Sequence, residues 1–464
     1  MKILLIFPPI LGEERYGKLA RVGSYLPPLG LLYLAAGLEK KHEVRVIDGS
    51  VLGMTVDDVK DVIRSWRPAI VGVSTYTPTL YRSLAIARAA KEVDPAILTV
   101  LGGPHPTACP EETAAEAGVD IAVVGEGEET LPEIAETLAA GGDLSKVRGV
   151  CCRKDGAIIK APPRGRATRL DDLPMPARHL VDMSLYKPSV MHYKRLPAFS
   201  IICGRGCPFK CTYCSCSKVF KGAVEMRSPA KVMEEIKHLV EKYGAREIMV
   251  WDDTFGLSKK WVNEFCDLIA PLKLTWSAWM RVDLATPEML KRMAACGCWH
   301  ISYGVESGNQ MVLDTIKKGI TVEQVKKAFA WTHEAGMEAR GTYILGLPNE
   351  TEETMRDTVD LAIESRADYA QFQLLTPYPG TELWDTARQY GDFAITDFSK
   401  YTIWFPVFIP KGLSQEKLVR AHRAAYRRFY FRPAYIWQSL RNLGDWGDVR
   451  RALTGIRGLL DFLK

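Results

Sequence analysis

Phe199-Ser-Ile-Ile-Cys203-Gly-Arg-Gly-Cys207-Pro-Phe-Lys-Cys211-Thr-Tyr-Cys214 is the stretch on which the reading of this 464-residue chain turns. An apolar run with the composition of a buried strand gives way at Gly204 to a cysteine-rich loop. Cys207, Cys211 and Cys214, at i, i+4 and i+7, would share one face of a helix. Gly204, Gly206 and Pro208 argue instead for an irregular loop wrapped round something. Thiolates so close together suit an iron–sulfur cluster or zinc. A structural zinc would want a fourth ligand, which Cys203 or Cys216 could supply. Both fall outside the triplet and are read as spectators, Cys203 because it ends the strand.

Working outward, apolar runs recur at Glu247–Trp251, Thr275–Trp279, His300–Val305, Ala339–Leu345 and Tyr369–Leu375. Between them lie Ala230–Tyr243, Lys259–Leu272, Pro287–Ala295, Val322–Ala335 and Glu352–Arg366 with helical spacing. Six strands with helical crossovers predict a partial (β/α)6 barrel over 196–400, with its chemistry at the strand carboxyl ends. Upstream, Ile3–Phe7, Val44–Ile47, Ile70–Ser74, Leu98–Leu101 and Ile121–Val124 alternate with Gly30–Lys40, Val56–Trp66, Leu80–Val93 and Glu111–Gly118. Near-continuous Val/Ile/Leu strands separated by helices predict a doubly wound, Rossmann-like parallel sheet over 1–145. Ligands of such sheets bind outside the carboxyl ends of the strands. Residues 146–195, with Pro162-Pro163 and Leu173-Pro174-Met175-Pro176, read as a linker holding at most a small hairpin. Residues 401–464 read as a helical, basic, aromatic C-terminal region.

Apolar residues at 47% and charged residues at 25% exclude a disordered, collagen-like or low-complexity chain. The net charge of +6 is too small to imply nucleic acid. Its distribution is uneven, since Lys411–Lys464 holds twelve Lys and Arg against four Asp and Glu. Eleven cysteines do not form the framework of a secreted disulfide protein. The apolar run Ile3–Phe7 is too short for a signal peptide. Leu26–Leu38 is broken by Pro27, Pro28 and Gly30 and falls short of the ~20 residues of a membrane span. A cytoplasmic location is expected.

The cysteine triplet, with Pro208 and Tyr213 inside it, resembles the cluster loop of the radical S-adenosylmethionine superfamily. That resemblance implies a [4Fe–4S] cluster on Cys207, Cys211 and Cys214, with the fourth iron chelating S-adenosyl-L-methionine. The strand ends agree in order: Asp252-Asp253, Arg281, the Tyr303–Gly308 segment containing Glu306 and Ser307, and Gly346-Leu-Pro-Asn-Glu-Thr351. With Tyr213, these are the expected S-adenosylmethionine residues. Taken alone, an Asp pair is more often a helix cap and an Arg after a strand is usually a surface ion pair.

In the first domain, Leu101-Gly102-Gly103-Pro104-His105-Pro106-Thr107 resembles the cobalamin-binding domain often fused to this barrel. Paired glycines allow close backbone approach to a large flat ligand. Ser74 and Thr75 match the position lining the nucleotide-tail slot, and Gly125-Glu126-Gly127 completes the rim. Mutase-type cobalamin domains carry Asp-x-His-x-x-Gly after the first strand. The corresponding loop here, Phe7-Pro-Pro-Ile-Leu-Gly12, has no His. Cobalamin is therefore expected base-off without a His ligand, with Tyr76 or Thr77 beneath cobalt. His105, between two prolines, is expected to be structural.

Residues 1–400 thus resemble a cobalamin-dependent radical S-adenosylmethionine protein of the group containing class B methyltransferases. The resemblance implies an enzyme that abstracts hydrogen with a 5′-deoxyadenosyl radical and passes methyl from methylcobalamin to an unactivated carbon or phosphorus centre. It also implies an external electron donor of the flavodoxin or ferredoxin type. The alternative is non-methylating oxidation or ring closure, as in the anaerobic porphyrin cyclases; a non-catalytic corrinoid or electron-transfer protein is a distant third. A tRNA methylthiotransferase would carry further cysteines in its first domain and a terminal RNA-binding module. For the tail, Tyr426, Phe429, Tyr430, Phe431, Tyr435, Trp437 and Trp446 interleaved with arginines predict a helical cap packed on the barrel. The same pattern suits peripheral contact with an anionic membrane, although Gly444, Gly447, Gly455 and Gly458 interrupt any long amphipathic face.

Overall fold

A computed structural model describes residues 1–165, 169–441 and 446–463. The chain divides into two units, one made of Met1–Arg15, Tyr25–Lys187 and Asp397–Thr402, the other of Tyr16–Ser24, Pro188–Thr396 and Ile403–Lys464.

The first unit is built on seven strands: β1 (Lys2–Phe7), β2 (Glu43–Asp48), β3 (Ile70–Ser74), β4 (Leu98–Gly102), β5 (Ile121–Val123), β6 (Val150–Lys154) and β7 (Ala157–Lys160). Their order is β2-β1-β3-β4-β5-β6-β7, parallel through β5 and antiparallel from β5 onward. Ile3 to Ile6 are fully buried. A strand covered on both faces needs such a continuous apolar run. The order reverses between β1 and β3, so the crevice at their carboxyl ends is where a sheet of this kind takes its ligand. Helices Leu29–Leu38, Val56–Trp66 and Leu80–Val93 form the crossovers. The second of them starts at a capping box between Thr55 and Asp58.

The second unit carries six parallel strands: β8 (Ala198–Ile201), β9 (Glu247–Phe255), β10 (Thr275–Met280), β11 (Cys298–Glu306), β12 (Glu338–Leu345) and β13 (Tyr369–Leu374). They pair in chain order, so β8 and β13 are the two edges of an open barrel. The crossover helices begin at Ser228, Ser258, Thr286, Thr321 and Thr351, each accepting a backbone N–H three residues on. These caps satisfy donors a helix start leaves unpaired. In register, Trp279, Ser302 and Arg340 stand side by side across β10, β11 and β12. Three helices follow the barrel: α1 (Gln415–Tyr430), α2 (Pro433–Arg441) and α3 (Trp446–Leu463). The edge of β13 is closed by side chains of α1. Tyr430 Oη donates to the Ala370 carbonyl at 2.8 Å, and Tyr426 Oη and His422 Nε2 reach the Phe372 carbonyl at 3.0 and 2.9 Å. A covered edge strand cannot pair with another chain.

Several boundaries differ from the sequence reading. Residues 150–160 form the anticipated hairpin, but it extends the first sheet past residue 145, and 146–187 fold with the first unit. Tyr16–Ser24 folds with the barrel, and Asp397–Thr402 with the first sheet. Contacts so distant in sequence leave no trace in local periodicity. The tail aromatics Tyr426 and Phe429 are buried, as a cap requires, whereas Phe431 and Trp437 are 43% and 64% exposed. The side chain of Trp446 lies outside the described residues. Among the described residues, no helix is long and apolar enough to cross a membrane.

Candidate functional site

At the carboxyl ends of β8 and β9, the cysteine loop is held by its backbone. Asp252 Oδ1 accepts from the amides of Cys203 and Gly204 at 2.7 and 3.1 Å, and Asp253 Oδ2 from Gly206 at 2.7 Å. The acidic pair expected to face S-adenosylmethionine therefore anchors the entry to the loop. Burial pushes the Asp252 carboxyl up to about 7. The Thr254 hydroxyl lies 3.1 Å from the Cys207 sulfur. Further on, the Thr212 amide donates to the Ile316 carbonyl at 3.0 Å.

Two buried cations flank the thiols. Arg281 Nη1 is 3.8 Å from Cys211 Sγ, and its guanidinium lies 3.5 Å from the centre of the Phe209 ring. It is fixed by a two-pronged ion pair with Asp283 (2.9 and 3.1 Å) and by donation to the Lys318 carbonyl at 2.8 Å. Lys318, 5% exposed, donates to Glu306 Oε1 at 2.7 Å and sits 3.4 Å from Tyr213 Oη. Glu306 occupies the left-handed region with φ of +74°, a costly conformation for a non-glycine residue. Ser307 is fully buried and spends its hydroxyl on Thr358 and the Asn309 amide. The amides of Gly346, at φ +86°, and Leu347 both donate to the buried Glu350 carboxylate at 2.6 and 2.9 Å. Burial holds that carboxyl up at about 8.

Hydrogen bonding from Cys216 lowers the Cys207 thiol to about 6, while burial raises Cys214 to about 11. Cys216, read as a spectator, therefore touches the triplet directly; Cys203 is buried at the end of its strand. In a cluster each thiolate binds its own iron. Three thiols beside two cations fit such a group, whose thiolates bring negative charge.

Sequence reasoning missed Lys318 and Thr254, and quoted Phe209 and Glu350 inside their motifs without giving them a role. Lys318 left a local signal in the Lys317-Lys318-Gly319 turn after the helix Gln310–Thr315.

In the first unit, the loops after β3, β4 and β5 meet. The Thr75 amide donates to the Gly102 carbonyl at 2.7 Å, and the His105 amide to the Thr75 carbonyl at 3.2 Å. Gly103 has φ of +107°, and a Cβ there would stand 2.9 Å from the Thr75 carbonyl oxygen, so only glycine fits. Thr107 Oγ1 donates to the Gly103 carbonyl at 2.8 Å and accepts from the Gly125 amide at 3.0 Å. At Gly125 a Cβ would meet nothing within 4 Å, which leaves open space over that backbone. Ser74 pairs with Gly102 across the strands, and Gly127 faces Leu34. His105 is buried, with Nδ1 3.1 Å from Thr77 Oγ1 and its ring against Phe398. Burial lowers its pKa to about 4, so it is neutral at physiological pH. Thr77 is buried on His105, whereas Tyr76 is 46% exposed beside Phe7. The loops after β3, β4 and β5, meeting at the carboxyl edge of the sheet with open space over Gly125, fit a large flat cofactor.

Comparison with known proteins agrees with this geometry. Residues 17–135 match the family model for the B12 binding domain, and residues 201–362 that for the radical SAM superfamily. An uncharacterised methyltransferase of Pyrococcus horikoshii is 36% identical over 459 residues, covering 98% of both chains. The anaerobic magnesium-protoporphyrin IX monomethyl ester cyclase of Cereibacter sphaeroides is 30% identical, covering 96% of this chain and 73% of that protein. The fold is similar to that of the radical S-adenosylmethionine methyltransferase TsrM from Kitasatospora setae, solved with cobalamin and a [4Fe–4S] cluster bound. That match has a TM-score of 0.71 at 18% identity and covers 99% of this chain and 98% of that one. The chain belongs to the cobalamin-dependent radical S-adenosylmethionine enzymes.

Proposed function

We propose that this enzyme methylates an unactivated carbon or phosphorus centre. The observation that carries the reading is one chain holding both a thiol loop flanked by Arg281 and Lys318 and a doubly wound unit that matches the B12 binding domain, with Gly125 open at its strand ends. When bound, the cluster and S-adenosylmethionine supply one-electron chemistry, and cobalamin carries the methyl group. Cys207, Cys211 and Cys214 hold the cluster. Arg281 and Lys318 offset its charge, and Asp252, Asp253 and Glu350 fix the surrounding backbone. Tyr213, Glu306 and Gly346 are assigned to S-adenosylmethionine, a reading supported for Tyr213 and Glu306 by their contact with Lys318. Ser74, Thr75, Gly102, Gly103, Gly125, Glu126 and Gly127 line the cobalamin site. Cobalamin would be held base-off without a His ligand, since the loop after β1 carries none and His105 is buried against Thr77 and Phe398, and the exposed Tyr76 would be the residue offered to it. Electrons come from a flavodoxin- or ferredoxin-type donor.

The relative of Pyrococcus horikoshii, aligned end to end, bears the name methyltransferase and supports this reading. The 30% identity to a cyclase favours ring closure as the second reading. S-adenosylmethionine labelled as trideuteromethyl separates the two. Transfer of the label to product is expected; a product that is cyclised or oxygenated and unlabelled overturns methylation.

A further inference from the structure

One buried cation has no part in the site above. Arg340, on β12, is 3% exposed, and its guanidinium donates to two neutral groups, the His192 ring and Gln371 Oε1, beside the Trp279 ring. Its Nε finds no acceptor. Among the described residues, no carboxylate forms an ion pair with it. Glu338, two positions earlier on the same face, is the obvious candidate. The charges acting on Glu338 are instead those of Asp368, Lys194 and Arg451, and its Oε2 also lacks a partner. A buried guanidinium without a counter-ion is strongly unfavourable unless something supplies one.

Arg340 borders a cavity of about 350 Å³ contained within the second unit. Its walls come from the first residues of β12 and β13, the segment 189–192, the turn Gly17–Val22 and the helices α1 to α3. Leu19, Trp404, Tyr426 and Leu459 make most of it apolar or aromatic. Ile436 and Ile456, also lining it, are 47% and 53% exposed and so mark an apolar mouth. An apolar chamber with a few convergent polar groups is the usual form of a small-molecule site.

We infer that this chamber binds a small amphipathic molecule with an apolar body and one anionic group that pairs with Arg340. The chamber lies among the first residues of β12 and β13, whereas the thiol loop stands at strand carboxyl ends, so this binding does not rest on the radical enzyme reading. The anion is a carboxylate or a phosphate, both of which match the guanidinium fork.

Decanoate, decyl phosphate, 1-decanol and decylamine, titrated into the full-length protein and read by tryptophan fluorescence, test this. One of the two anions should bind at least about tenfold tighter than the alcohol and the amine, since a charge-assisted bond is lost in each neutral or cationic analogue. Arg340→Gln should abolish that preference while decanol binding persists. Gly455→Trp needs no change at Arg340: Gly455 lines the chamber with open space where its Cβ would go, so the indole should block all four probes. Equal binding of the four probes, an unchanged preference in Arg340→Gln, or unchanged binding in Gly455→Trp overturns the chamber. Release of 5′-deoxyadenosine by reconstituted wild-type protein reports separately on the enzyme. Release without anion preference overturns only the chamber, and anion preference without release overturns only the enzyme reading.

Discussion

Arg281→Met removes the side chain that ties the cysteine loop to the rest of the barrel. The loss is concentrated in a few contacts. Asp283, whose side chain is 17% exposed, loses both arms of its ion pair. Breaking a largely buried pair from one side costs about 3–5 kcal/mol, because the remaining charge stays desolvated. The hydrogen bond to the Lys318 carbonyl and the stack on Phe209 are each worth about 2 kcal/mol. All belong to one side chain and do not add, so a destabilisation of about 4 kcal/mol is expected. Urea unfolding followed by tryptophan fluorescence reads it, since every tryptophan except Trp66 lies in the second unit. Arg281→Met/Asp283→Leu, which removes the stranded carboxylate as well, should recover at least about half the loss. Iron retained after reconstitution should also fall in the single variant, as Cys211 loses its neighbouring cation. A loss below about 1 kcal/mol, or a double variant no better than the single, would refute the claim that this ion pair holds the site together.

Cys207→Ala should abolish the brown cluster chromophore and 5′-deoxyadenosine formation, whereas Cys216→Ala should keep both; loss of the cluster in Cys216→Ala would reassign the ligands. His105 is neutral when folded and titrates near 4, below its unfolded value of 6.5. Between those values the unfolded chain binds more protons, so the first unit should lose up to about 3 kcal/mol of stability as pH falls from 6.5 to 4. In His105→Gln that slope in urea unfolding should flatten. Spectra of bound cobalamin should lack imidazole coordination, and nitrogen superhyperfine splitting in the reduced cobalt spectrum would sink the base-off assignment. Gly103→Ala places a Cβ 2.9 Å from the Thr75 oxygen at a left-handed φ. It should cost about 1–3 kcal/mol and weaken cobalamin retention on gel filtration.

Both sheets were legible because parallel strands buried on two faces write their pattern as short continuous apolar runs. The cysteine loop was legible because glycine and proline exclude the helix that its spacing would otherwise allow. Partners were not. Asp252 and Asp253 carry no mark showing that they bond the loop backbone. Lys318 meets Glu306 across the short helix Gln310–Thr315, and Arg281 at the end of β10 reaches Phe209 in the loop after β8, a contact that exists only once β8, β9 and β10 lie side by side. The assignment of Asp397–Thr402 to the first unit depends on Phe398 meeting His105 and Tyr81, nearly three hundred residues or more away. In the tail, the interleaving of arginine and aromatics favoured a cap on the barrel over a membrane surface without showing which residues make it. The bonds from His422, Tyr426 and Tyr430 to the edge of β13 show that.

Anaerobic reconstitution of the full chain with iron, sulfide and hydroxocobalamin, followed by S-adenosylmethionine and a reductant, tests the central claim most directly. The account predicts one [4Fe–4S] cluster and one cobalamin per chain, with 5′-deoxyadenosine released only while Cys207, Cys211 and Cys214 are all present. Cobalamin binding without 5′-deoxyadenosine, or its undiminished release from a protein lacking one of those cysteines, would contradict it.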